Sequence, residues 1–245
     1  MSARVTAAVA VRVLTQLRHD HRTMAMLLLL PALLVSLLWW MFEDVDAGAF
    51  DRVGPALLAI FPFTVMFLVT SVTTLRERTS GTLERLLVLP TARLDLLGGY
   101  AAAFGLVAVV QSLVTVLVST TLLGLEVTGP VAMLVLVAVV DGLLGTALGL
   151  FVSAFARSEF QAVQFMPAVV IPQLLLCGLF VPRDALPPVL ETVSDVLPLS
   201  YAVDAMLTLS TSTGTGEVWR DLAVVAGFVA GALVLGAATL RRRTA

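Results

Sequence analysis

Residues 127–156 read VTGPVAMLVLVAVVDGLLGTALGLFVSAFA, and this stretch contains a single formal charge, Asp141. A helix needs about 20 apolar residues to cross a hydrocarbon core about 30 Å thick. A run this long and this apolar is a poor candidate for a helix in the core of a soluble protein. It therefore predicts a membrane-spanning helix.

Five further apolar runs lie on both sides of this stretch. The chain of 245 residues is 59% hydrophobic and 13% charged, well to the apolar side of soluble domains. Gly124, Gly129 and Pro130 supply the turn chemistry for a tight reversal between the third and fourth runs. We expect one all-α transmembrane domain over residues 1–245. Its predicted spans are residues 24–42, 53–75, 96–125, 127–156, 160–182 and 222–240.

The positions of the arginines predict the orientation of these spans, because basic residues accumulate in cytoplasmic segments. All 15 basic residues are arginine, and the sequence contains no lysine. If both termini are inside, only Arg52, Arg183 and Arg220 fall on the external side. We therefore expect six spans with both termini cytoplasmic.

Two segments outside the spans carry helical patterns of their own. Residues 1–23 have an apolar stripe opposite several arginines, which predicts an amphipathic helix at the membrane interface. The stripe consists of Val5, Val9, Val13 and Leu17. In the external loop at residues 183–221, apolar residues recur near helical spacing between prolines. We expect short external helices that dip toward the outer membrane surface.

The residue types that nucleotide or metal chemistry needs are missing or scattered. A Walker-type phosphate loop requires a lysine after its glycine-rich turn, and this chain has none. His19 and His21, the only histidines, have no cysteine or carboxylate at ligand spacing. We expect no catalytic site, bound cofactor or metal in this chain, and no nucleic-acid partner.

The cytoplasmic loop at residues 76–95 reads RERTSGTLERLLVLPTARLD and is the most informative segment. Its leucines form an apolar face beside charged residues, which predicts a short amphipathic helix along the membrane. In most membrane proteins such charges only solvate a loop. This loop, however, resembles the E-x-x-x-G-T-x-E-x-L-x-x-x-P segment of ABC-2 type permeases, the membrane subunits of ATP-binding-cassette exporters. The matching residues are Glu77, Gly81, Thr82, Glu84, Leu86 and Pro90.

The resemblance continues in order along most of the chain. The matching residues are Gly145, Ala147, Leu148 and Gly149 in the fourth span, and Gln161 and Ala162 at the start of the fifth. The GLFVP segment at residues 178–182 also matches, and residues 197–201, LPLSY, match the family's LP-x-x-Y element. Bacterial drug-resistance permeases, including the daunorubicin type, are similar. The resemblance implies the type V exporter fold, and a pair of permease subunits as a homodimer or related heterodimer. It also implies two separate ATPase subunits, which bind ATP and Mg, in the bacterial cytoplasmic membrane.

The same resemblance suggests where coupling and transport take place. The cargo it implies is a hydrophobic or amphipathic compound such as a drug, an antibiotic or a lipid-like molecule. The residues assigned to ATPase coupling are Glu77, Arg78, Gly81, Thr82, Glu84 and Arg85, with Glu77 and Glu84 pairing with basic groups of the ATPase. The second and fifth spans are expected to line the path with Phe61, Phe63, Phe67, Phe165, Met166 and Leu175. The alternative for each of these six side chains is that it faces lipid or a neighbouring helix and does not line the path.

Asp141 is the only formal charge inside the predicted spans. A carboxylate at mid-depth costs roughly 2.5 to 3.5 kcal/mol on insertion scales, so it is expected to be buried, paired or protonated. Gln111, at similar depth in the preceding span, is a candidate hydrogen-bond partner, which would make the pair structural.

Two other classes of function remain open. One is a proton-coupled secondary transporter in which Asp141 carries the proton, and the other is a membrane scaffold subunit that transports nothing.

Overall fold

The computed structural model describes residues 2–43, 48–80 and 93–239. In these ranges every regular element is helical. The helices are α1 (Ala3–His19), α2 (His21–Glu43), α3 (Ala49–Thr79), α4 (Arg93–Leu117), α5 (Val131–Ser153), α6 (Glu159–Leu176), α7 (Pro188–Asp195), α8 (Pro198–Thr211) and α9 (Gly216–Thr239). A π-helical turn, Val118–Leu122, extends α4, and a 3₁₀ turn, Arg183–Ala185, precedes α7.

Six of these helices, α2 to α6 and α9, are long and apolar enough to cross a membrane. The all-α fold and the six spans are therefore confirmed. The inner end of the bundle is defined here as the end that carries Thr79 and Ser153. The outer end is the one that carries Gly48 and Val131. Short helices lie between the fifth and sixth spans, as the prolines of that loop indicated.

Several helix ends differ from the predicted spans. The fifth span ends at Leu176 rather than at residue 182, because Gly178 adopts a φ of +94° that only glycine tolerates easily. The second span continues to Thr79, so the first residues of the predicted coupling loop belong to α3. The last span already begins at Gly216. The apolar content of the sequence identified the spans, but it did not identify the residues at which each helix begins and ends.

The closest helix contact joins α3 and α5 through two glycines. A Cβ on Gly145 would lie 2.3 Å from the carbonyl oxygen of Phe63, and a Cβ on Gly149 would lie 2.6 Å from that of Phe67. Small residues four apart let two backbones approach in a membrane, where packing rather than water exclusion holds helices together. We call this contact the glycine seam.

The amphipathic helix α1 packs one side against α4. Its buried residues are Val9, Val13 and Leu17, which lie in one core cluster with Leu96 and Tyr100 of α4. A Cβ on Gly99 would lie 2.5 Å from the Cβ of Val9. The amphipathic helix is confirmed, and the buried part of its apolar stripe packs against α4 of the same chain.

The outer connection between α4 and α5 is tied to its neighbours. Gly124 turns the chain with a φ of +69°. The backbone N–H of Glu126 donates to the Asp51 carboxylate at the start of α3, at 3.0 Å. The N–H of Gly129 donates to the carbonyl of Leu209 in α8, at 2.8 Å. The predicted helical hairpin is therefore present and is fixed to both α3 and α8.

Candidate coupling site and substrate path

Glu77 lies at the inner end of the bundle, where three helices meet. It belongs to the last turns of α3 and is only 8% exposed. The Tyr100 hydroxyl of α4 donates a hydrogen bond to its carboxylate. The guanidinium of Arg12 on α1 lies 3.6 Å from the same carboxylate. Because both partners act on one buried acid, Glu77 joins α1, α3 and α4.

The two arginines beside Glu77 connect α3 to the remaining inner helices. Arg78 donates to the carbonyl of Ser153, the last residue of α5, at 2.6 Å. Arg76 forms two hydrogen bonds to the carboxylate of Glu159, at the start of α6, at 3.0 and 3.1 Å. A displacement of the inner end of α3 would therefore reach both α5 and α6.

These contacts give two of the predicted coupling residues partners within the chain. Glu77 was expected to pair with a basic group of a separate ATPase, but its carboxylate is buried and has partners within the chain. Arg78 is likewise bonded to α5. Gly81, Thr82, Glu84 and Arg85 lie outside the described residues, so their assignment stays a prediction.

The elbow between α1 and α2 is capped by Asp20. Its carboxylate accepts from the Thr23 backbone N–H at 3.1 Å and from the Thr23 hydroxyl at 2.7 Å. These bonds hold the pKa of the Asp20 carboxyl below its ordinary value. A small crevice of about 180 Å³ opens beside this elbow. Its lining is Val13, Gln16, Leu17, Asp20, Thr23, Thr73, Arg76 and Glu77.

Two of the predicted path residues are inside the protomer. Phe63 and Phe67 are fully buried in the main core cluster, so neither side chain lines a path beside the chain. The physical reason is the glycine seam, which brings α5 against the α3 segment that carries them. Phe61, Phe165 and Met166 are half-buried, and Leu175 is exposed. The prediction therefore fails for the two buried aromatics of α3.

The exposed side of α6 carries a continuous stripe. It includes Phe160, Gln164, Pro167, Ala168, Ile171, Pro172 and Leu175. Each proline lacks the N–H that the carbonyl four residues earlier would accept, so the carbonyls of Val163 and Ala168 lose their helical donor. Such groups are costly against lipid and are tolerated against protein or water. This side of α6 has the properties of a face that is covered by protein or lines a polar space.

Asp141 and Gln111 are both fully buried. The structure gives no hydrogen-bond partner to the Asp141 carboxylate or to the Gln111 side-chain amide within the described part of the chain. The expected hydrogen bond between them is therefore not formed.

The outer end has a cavity of about 820 Å³. It lies between the start of α3, the connection before α5, the end of α8 and the start of α9. Charged groups of both signs line it: Asp51, Arg52, Glu126, Asp204, Glu217, Arg220 and Asp221. Burial raises the pKa of the Asp204 carboxyl, while the neighbouring Arg183 acts in the opposite direction and is the smaller effect.

A comparison with protein families identifies the chain. The family model described as "ABC-2 type transporter" matches residues 5–209, which contain the inner-end site and every span except the last. This chain belongs to the ABC-2 type transporter family.

Curated relatives agree with the family at low identity. ABC transporter G family member 20 of Dictyostelium discoideum is 26% identical over 188 residues, which are 75% of this chain and 26% of that protein. The inner membrane transport permease YhhJ of Escherichia coli K12 is 28% identical over 169 residues, 68% of this chain and 45% of the permease. The probable multidrug ABC transporter permease YbhS of the same strain is 27% identical over 156 residues, 63% and 41%. The chain thus spans less than half the length of each relative.

Sequence reasoning missed the residues that complete the inner site of this ABC-2 chain. Arg12 was counted only as a topological charge, and Tyr100 was taken as part of an apolar span. A signal was present: Arg12 directly precedes Val13 of the buried stripe, so it lies at the edge of the packed face. Arg183 was also missed as the centre of a contact network at the outer end.

Proposed function

We propose that this chain is the permease subunit of an ATP-binding-cassette exporter. Two such subunits form the path, and each couples to a separate ATPase subunit that binds ATP and Mg. The cargo is a hydrophobic or amphipathic compound of the drug, antibiotic or lipid type. The complex lies in the cytoplasmic membrane of a bacterial cell, with both termini of this chain inside.

The connection of helices at the inner end is the observation that carries this proposal. Glu77 joins α1, α3 and α4, while Arg78 and Arg76 extend the connection to α5 and α6. The segment between α3 and α4 holds the remaining motif residues and starts directly from this point. A partner that pushes on that segment therefore acts on helices α3 to α6 together, as rigid-body alternating access requires.

The exposed stripe of α6 supports a second permease subunit. The stripe combines the Gln164 amide with two carbonyls freed by prolines, which disfavours full exposure to lipid. It also presents Phe160, Ile171 and Leu175, which suit an apolar cargo. The path therefore runs along α6 rather than along Phe63 and Phe67 of α3.

Reconstitution with a separate ABC ATPase subunit tests the proposal. The expected result is a co-purifying complex whose vanadate-sensitive ATP hydrolysis rises with a hydrophobic dye and drives that dye into inverted vesicles. Glu84→Arg is expected to abolish stimulation, since Glu84 lies in the predicted coupling segment. Glu191→Arg, the same change at an exposed position of α7, is the matched control and is expected to leave stimulation intact.

Two outcomes would contradict this proposal. If no ATPase binds and no compound moves, the chain is a scaffold subunit. If dye moves under a pH gradient without any ATPase, the chain is a secondary transporter.

The fully buried, unpartnered Asp141 favours proton coupling as the second candidate function. If transport is proton-coupled, Asp141→Asn is expected to remove the dependence of the transport rate on the pH gradient. Under the exporter mechanism it leaves ATP-driven transport in place.

A further inference from the structure

The outer end of α6 is covered by a compact cap of residues 183–211, made of the 3₁₀ turn, α7 and α8. The chain leaves α6 through Gly178, and the Arg183 side chain folds back beside this turn. A Cβ on Gly178 would lie 3.5 Å from the Cγ of Arg183. This is a close but ordinary distance, so Arg183 lies directly against the end of the span.

Arg183 contacts both helices of the cap with one guanidinium group. Its Nε donates to the Ser194 hydroxyl at 2.9 Å. Its other nitrogens donate to the carboxylates of Asp195 and Asp204. The group also lies over the ring of Tyr201, 5.1 Å from its centroid. The Arg183 side chain is 17% exposed, whereas the Asp204 and Asp195 side chains are 34% and 57% exposed, so the charge-assisted bond to Asp204 is the better shielded from water.

Ser194 carries the connection from the cap to the span. It is fully buried, and its hydroxyl donates to the carbonyl of Leu176, the last residue of α6, at 2.7 Å. The hydroxyl of Ser200 lies 3.0 Å away. A second link joins the backbone N–H of Leu199 to the side-chain carbonyl of Gln173, at 3.3 Å. The free carbonyl at the end of α6 is therefore satisfied by the cap.

We propose that Arg183 is a positioning residue. It braces α7 against α8 within the cap, and so holds the Ser194 hydroxyl on the Leu176 carbonyl at the outer end of α6. Elsewhere α6 is little buried, with only 17% of its most apolar stretch inside the protein. Without Arg183, Ser194 and Asp195 lose their common partner, and the contact between Ser194 and Leu176 is expected to open more readily.

Chemical labelling of Cys177 can report whether the cap stays in contact with the end of α6. It is the only cysteine of the chain, it is fully buried, and it lies directly after the carbonyl that Ser194 binds. Cys177 shares the main core cluster with Leu199 and Val203 of α8, so separation of the cap is expected to expose its thiol to a soluble maleimide. Labelling requires neither an ATPase nor a cargo, so the result is independent of the proposed function.

The experiment measures the rate at which a membrane-impermeant maleimide labels Cys177 in the purified full-length chain, well below the melting temperature. Arg183→Gln is expected to raise this rate at least about tenfold, because local opening becomes easier when charge-assisted bonds are lost. Ser194→Ala, a smaller change, is expected to raise it less. Arg220→Gln is the matched control: it changes a 72% exposed arginine at the same end and is expected to label like wild type.

A second control is matched to Ser194→Ala, because it also removes one serine hydroxyl. Ser210→Ala removes a hydroxyl that donates to the Leu207 carbonyl of its own helix, and it is expected to leave the rate unchanged. If Arg183→Gln does not fold, Arg183→Lys takes its place, with faster labelling than wild type still expected. An unchanged rate in a folded Arg183 variant, or an equal rise in Arg220→Gln, overturns the proposal.

In the complete transporter, a second readout separates positioning from general stability. This readout rests on the proposed function. Arg183→Gln is expected to keep vanadate-sensitive ATP hydrolysis while less cargo moves per ATP. An equal loss of hydrolysis and transport would show a general defect and would contradict the positioning role.

Discussion

Helices α3 and α6 are both proline-containing spans, yet they are held in opposite ways. In the most apolar stretch of α3, 67% of the residues are buried, against 17% in α6. α3 lies in the glycine seam with α5, and its aromatic side chains fill the core. α6 is fixed mainly at its two ends, by Arg76–Glu159 at the inner end and by the Ser194–Leu176 bond at the outer end.

This difference separates a closely packed span from one with few buried residues. Lipid is as apolar as a leucine side chain, so a span without close packing gains little from contact with its neighbours. α3 and α5 have that packing, whereas the polar contacts of α6 lie at its two ends. If the proposed exporter function holds, we expect the motion to take place at α6, with α3 and α5 as its support.

The glycine seam gives the largest expected effect. Gly145→Ala places a Cβ 2.3 Å from a backbone oxygen, and neither helix can relieve this by a rotamer change. We expect a loss of about 3 kcal/mol in the free energy of unfolding, measured in mixed detergent micelles. Gly227→Ala, on the open side of α9 where nothing lies within 4 Å, is expected to change it by less than about 1 kcal/mol. Equal effects at both positions would mean that the seam is not close-packed.

A pair of phenylalanine truncations compares the two helices directly. Phe67→Ala on α3 leaves a cavity in the core and is expected to cost about 2 kcal/mol, less than in a soluble protein because lipid also solvates the ring. Phe160→Ala on α6 removes a 73% exposed ring and is expected to be close to neutral in the isolated chain. A large cost for Phe160→Ala that appears only at high protein concentration would instead place this ring in a contact between copies.

Breaking the Arg76–Glu159 ion pair at the inner end of α6 is expected to have the smallest effect on stability. Arg76 and Glu159 are 62% and 48% exposed, and exposed ion pairs contribute roughly 0.2 to 1 kcal/mol. We expect Arg76→Gln to lower the unfolding free energy by less than about 1 kcal/mol, and the difference from wild type to shrink as salt is added. A loss that is larger and insensitive to salt would show that α6 is held more firmly than its exposure indicates.

The spans were predictable because an apolar run of sufficient length has few other stable structures. Their ends were not, since they depend on single residues such as Gly178, whose positive φ ends α6 in the middle of an apolar run. Phe63 and Phe67 were placed on the path because the family resemblance puts the second and fifth spans opposite each other. Glycines four residues apart, as in α5, are typical of a close helix contact, but a pattern in one helix does not show which neighbour it meets.

The site was predictable only in part for a similar reason. The motif located Glu77, but its burial follows from α3 continuing past the apolar run and from α1 folding back onto α4. Both are long-range contacts between segments that are far apart in sequence. The partners Arg12 and Tyr100 lie on separate helices, and no local pattern connects them to Glu77.

The packing of α1 on α4 has a consequence for biogenesis. Helix α1 can bind α4 only after α2 and α3 have been synthesised, since residues 93–117 follow them in the chain. Until then α4 does not cover Val9, Val13 and Leu17, and the membrane surface is the nearest apolar environment. We therefore expect α1 to rest on the membrane surface while the chain is being made, and to pack against Gly99 once α4 is present.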